Sequence, residues 1–101
     1  SISLIKERIR DVVVPLYKAG ERSFIVVGKS DFAHLIEIVF RETGLNNHRI
    51  SYVDDFPQGT VEGVIIICRE GLETIDHTGY KIHNLIHELA KDHSLATQRD
   101  Y

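Results

Sequence analysis

The sequence predicts an α/β fold with a small, mostly parallel sheet of three strands in the order 2-1-3, flanked by helices. Three observations carry that expectation. Two short runs, "SFIVV" (23–27) and "GVIIIC" (63–68), are apolar throughout and rich in β-branched residues. Strands of that kind are buried on both faces, as in parallel sheets. Between the first run and "RISYV" (49–53) lies a segment of helical periodicity, and a strand–helix–strand unit is a right-handed parallel crossover. The chain has 101 residues, which bounds it to one domain with one modest core.

Each element has its own signal. "ISLIKERIRDVVVPLYKAG" places Ile2, Ile5, Ile9, Val12, Val13 and Leu16 near one helical face. Pro15 is expected to kink or end that helix, and Gly20 to close it. In "SDFAHLIEIVFRETG" the apolar residues Phe32, Leu35, Ile36, Val39 and Phe40 recur at helical spacing, with Ser30 or Asp31 as the cap and Gly44 past the end. "DDFPQGT" reads as a turn-rich loop and "GLETIDHTG" as a loop or short helical turn. "YKIHNLIHELAKDH" (80–93) reads as a last amphipathic helix, with Ile82, Leu85, Ile86 and Leu89 on one stripe. This succession describes a small three-layer domain of the Rossmann-like or flavodoxin-like kind. It spans 1–101, with residues 1–20 as an N-terminal helix and 94–101 as a polar tail. The opening "SISLIKERIR" lacks Met. The first helix is therefore expected to act as a linker from a preceding domain.

Composition narrows the function classes. The net charge is -3 and the pI about 6.0, with no basic run, so direct nucleic-acid binding is not expected. Cys68 is the single cysteine. It excludes an internal disulfide and suits a reducing, cytoplasmic compartment. No apolar run reaches the roughly 20 residues of a membrane-spanning helix.

"FIVVGKSD" (24–31) ends in the GKS of a phosphate-binding P-loop, but the motif GxxxxGK[ST] needs a glycine where Ser23 stands, and its loop is here the strand itself. GxGxxG also fails, at Ser30 and Ala33. What remains is a glycine turn at the end of a central strand, beside the start of a helix. There Gly28 allows close backbone approach, and Lys29 and Ser30 can contact an anion. Asp54 follows Gly28 by 26 residues, at the end of the second strand. An acid there accepts hydrogen bonds from ribose hydroxyls in dinucleotide-binding sheets. Gly28, Lys29, Ser30, Asp54 and Asp55 are thus the candidate ligand-binding residues, and a nucleotide or other small anion the candidate ligand. The bland reading of the same residues is a tight turn, a helix cap and a polar loop. The stretch "ERSFIVVGKSDFAHLIEIVFRETGLNNHRISYVDD" resembles small Rossmann-like sensory domains of some bacterial transcription regulators. Such relatives usually carry a second glycine where this chain has Ser30.

A second constellation is His83, His87 and His93, spaced HxxxHxxxxxH. On a helix, the first pair can reach one zinc ion. The stretch, with Asp92, resembles the metal site of the YbeY-type endoribonucleases and is similar in spacing to metzincin proteases. Asn84 stands where the metzincin base is a glutamate, and Ala90 where the turning glycine is. A small metal-dependent hydrolase or nuclease is therefore the alternative reading. A catalytic Cys68 near His77 is set against a small core residue. A phosphate-handling enzyme using Lys29, Ser30 and Asp54 lacks identifiable catalytic groups. The sequence points instead to a non-catalytic regulatory, ligand-binding or protein-interaction domain of a larger protein. Ile2, Ile5 and Ile9 offer a homodimer face where they do not pack on the sheet.

Overall fold

The computed structural model describes residues 1–28, 33–69, 71–72 and 78–85. Helix α1 (Ile2–Lys18) leads into β1 (Ser23–Val27), α2 (Leu35–Glu42), β2 (Arg49–Val53), β3 (Val64–Ile67) and β4 (Lys81–Asn84). The strands form one sheet in the order β2-β1-β3-β4, and every pairing is parallel. The expected order 2-1-3 is present, extended by a fourth strand. That strand is a correction. Residues 81–84 pair with β3 instead of opening a helix, because Ile82 fills one face of the sheet while Lys81 and His83 remain exposed. The period of two outweighs the helical stripe there.

Alternation along the central strands divides the core. Phe24 and Val26 of β1, with Val64 and Ile66 of β3, face α1 and α2, meeting Ile9, Val13, Ile36, Val39 and Phe40. Val27, Ile65 and Ile67 face the other way, where Phe56, Val61, Leu72, Tyr80 and Ile82 cover them. Among the described residues, both helices lie on the first face. The division follows from handedness. The path from β1 to β2 runs outward in one direction; those from β2 to β3 and from β3 to β4 run back in the other. Right-handed crossovers then need opposite faces. Phe56 and Val61 belong to the second connection, Leu72 and Tyr80 to the third, and all four sit on that opposite face.

The helix ends are encoded locally. Ser1 caps α1, its hydroxyl accepting from the Leu4 amide at 3.2 Å. The helix continues through Pro15 to Lys18, so the proline does not end it. Both helices close in Schellman motifs. Glu21 N–H donates to Leu16 O and Gly20 N–H to Tyr17 O, each at 3.0 Å. After α2, Leu45 N–H donates to Phe40 O at 3.0 Å and Gly44 N–H to Arg41 O at 3.2 Å. Regular α2 begins later than Asp31 predicts, with His34 at the cap and no side-chain cap bond. The proposed caps Ser30 and Asp31 lie outside the described residues. Among the described residues, no helix is long and apolar enough to cross a membrane.

Candidate functional site

The carboxyl ends of β1 and β2 open onto a cleft of about 450 Å³ lined by Gly28, Ala33, His34, Glu37, Tyr52, Val53 and Asp54. Its floor is backbone. Gly28 N–H donates to Val53 O at 2.9 Å and ties β1 to β2 just beyond their last residues. Gly28 has φ of 93°, and a Cβ there would overlap the Cβ of Arg69, with the Arg69 backbone nitrogen at 3.2 Å. A glycine is required for both reasons: φ is left-handed, and β3 leaves no room.

The α2 side supplies His34 and, from the first turn, Glu37. The β2 side supplies Tyr52 and Asp54. The Tyr52 phenol lies beside the Glu37 carboxylate. Partial burial, and after it the negative Glu37, push that phenol from 10.0 up to about 12. The described lining therefore presents two carboxylates, a neutral phenol and the His34 imidazole. Such a wall suits a group that donates hydrogen bonds and disfavours a phosphate.

Of the residues expected to bind ligand, Gly28 and Asp54 meet in this cleft. Asp55 lies just past it. It borders a second cleft of about 510 Å³ together with Phe56, Pro57, Gln58, Gly59, Leu72 and Tyr80, and its carboxylate approaches Arg69 at 3.7 Å. Lys29 and Ser30 lie outside the described residues. Sequence reasoning missed Glu37 and Tyr52. The signal for Glu37 was its place one turn into the helix that follows the Gly28 turn. For Tyr52 it was its position on the helix-facing side of β2, two residues before Asp54.

Of the histidine constellation, His83 lies exposed on strand β4. The helical i, i+4 premise does not apply to it, and His87 and His93 fall outside the described residues. No group of three or more His, Cys, Asp or Glu side chains suited to a metal occurs among the described residues. Cys68 is fully buried beyond the end of β3 on the helix-facing side. Burial pushes its thiol from 9.0 up to about 12, which removes the thiolate a nucleophile needs. Its expected partner His77 is outside the described residues. On α1, Ile9 is buried and Ile5 packs against the core, while Ile2 is 66% exposed. Most of the expected dimer face is thus spent inside the molecule. Comparison with family models, with curated proteins and with solved structures finds no match to the chain.

Proposed function

We propose that the chain is a non-catalytic ligand-sensing domain, one module of a larger cytoplasmic regulatory protein. Its ligand sits in the crevice at the carboxyl ends of β1 and β2. The observation that carries this reading is convergence: Gly28 and Asp54, far apart in sequence, line one cleft. Open parallel sheets bind ligands at that end. Asp54 and Glu37 accept hydrogen bonds from the hydroxyls of a sugar or polyol, and the glycine floor lets the ligand approach the backbone. Lys29 and Ser30, next along the chain, contact the anionic end of a nucleotide-like ligand. The titratable groups support binding more than chemistry. A phenol near 12 and a buried thiol near 12 are poorly matched to acid–base or nucleophilic work at neutral pH.

Thermal melting with a panel of nucleosides, nucleotides, nucleotide sugars and divalent metals tests the reading. A ligand of the native state raises the midpoint, because binding adds RT ln(1 + [L]/Kd) to stability. We expect a rise with a nucleotide or nucleotide sugar, lost in Lys29→Glu and reduced in Asp54→Asn. A rise with zinc alone, reversed by EDTA, contradicts the reading and favours the histidines. No rise with any ligand leaves a scaffold or dimerisation role, which sedimentation would measure.

A further inference from the structure

The two edges of the sheet differ. β4 ends it on one side, where Lys81 stands exposed and pairs with Glu21 at 2.6 Å. A lysine on an edge strand discourages pairing with another chain. β2 ends the sheet on the other side, and its "RISYV" carries no lysine and no proline. It pairs with β1 in unbroken register from Arg49 to Val53, so no bulge turns the edge away. Arg49, Ser51 and Tyr52 are exposed along it. Among the described residues, Tyr52 and Ile2 are the large apolar side chains left exposed. The backbone decides which groups face outward. Arg49 N–H donates to Arg22 O at 2.7 Å, and Val53 O accepts from Gly28 N–H at 2.9 Å. Along a strand, successive residues turn their polar backbone groups to alternate sides. Arg49, Ser51 and Val53 therefore direct theirs to β1, and Ile50 and Tyr52 point theirs out of the sheet.

We propose that this edge is a dimerisation surface whose partner is β2 of a second copy, joined antiparallel about a two-fold axis at Ser51. A two-fold contact must be complementary to itself, and this strand is. The outward residues must meet in pairs, so Ile50 of each copy exchanges both backbone hydrogen bonds with Tyr52 of the other. That register overlaps the whole of Arg49–Val53; the neighbouring ones of the same parity, centred on Ile50 or Tyr52, overlap only three residues. It sets the exposed Tyr52 ring beside Ile50 of the second copy on the helix-facing side, an aromatic and β-branched pair of the kind that stabilises sheets. Charge agrees as well. The strand begins at Arg49 and runs into Asp54 and Asp55. Antiparallel pairing brings each arginine to the other copy's acidic end and keeps the two arginines apart. The contact is short, so the dimer is weak and concentration-dependent. It does not depend on any ligand in the cleft.

Sedimentation equilibrium of the full chain over rising concentration, together with cross-linking through added cysteines, tests both the dimer and its register. Ser51 stands opposite its own copy across the axis, with Cα atoms about 4.5 Å apart, within reach of a disulfide. Ser51→Cys should therefore cross-link on mild oxidation. Arg49→Cys should not, because Arg49 faces Val53, four residues along, which leaves the two added thiols about 13 Å apart. Cys68 is fully buried, so the unaltered chain gives no background. Ser51→Lys opposes like charges on the axis and should raise the dimer dissociation constant about fivefold or more. Melting curves establish that each variant folds. Cross-linking of Arg49→Cys as fast as Ser51→Cys overturns the proposal. So does a dimer that Ser51→Lys leaves intact and Ile2→Lys dissolves, which would place the contact on α1. A chain still monomeric at about 1 mM overturns it as well.

Discussion

At Gly28 a missing side chain decides how closely two strands can end together. The backbone sits at φ 93° and Arg69 occupies the space a Cβ would need. Gly28→Ala should therefore destabilise the fold by about 2 kcal/mol or more, through left-handed strain and overpacking together; urea denaturation measures it. Cys68 makes the opposite case, of a group whose chemistry is suppressed. Its thiol and the Tyr52 phenol are both raised on folding. The unfolded chain then releases protons at lower pH than the native one. Stability from both groups is complete below pH 9 and lost as pH rises toward 12. The midpoint of melting should fall over that range, and less steeply in Cys68→Ala. A slope unchanged by that substitution would contradict the burial argument. Gly28 and Asp54 were legible from the sequence because turn residues at strand ends are a local pattern. Arg69 was not, since only the pairing of β1 with β3 brings it to Gly28.

Among the elements, the three expected strands fall where composition placed them, because continuous β-branched runs flanked by turn residues leave few alternatives. "KIHN" was misread. Its two-residue alternation is short, and Ile82, Leu85, Ile86 and Leu89 happen to fit a helix as well. The sheet decides: β3, buried along its whole length, pairs with β1 on one edge and needs a partner on the other. Hydrogen exchange should show slowed amides within 81–84. Amides there that exchange as fast as those of an open loop would contradict a fourth strand. The carboxyl-terminal ends of α1 and α2, by contrast, were legible at Gly20 and Gly44. Gly44, at φ 69° in its Schellman turn, should cost about 1 kcal/mol when replaced by alanine, read as a shift in the denaturation midpoint at constant slope.

For the whole molecule, the alternation of the central strands sorts the core into two faces, and the handedness of the connections fixes which segment covers which. Ile66 lies fully buried between β1 and β4, on the helix face. Ile66→Ala should cost about 3 kcal/mol, a large part of what a domain of this size has to lose. The same topology places the ends of β1 and β2 side by side beneath the start of α2 and leaves a cleft there, so the candidate site follows from the fold and not from one motif. The measurement closest to that claim is a titration of the labelled chain with a nucleoside diphosphate, followed by amide chemical shifts. The account predicts perturbations gathered at Gly28, Glu37 and Tyr52 to Asp54, saturating together. Perturbations gathered at the amino ends of the strands, or along α1, would contradict it.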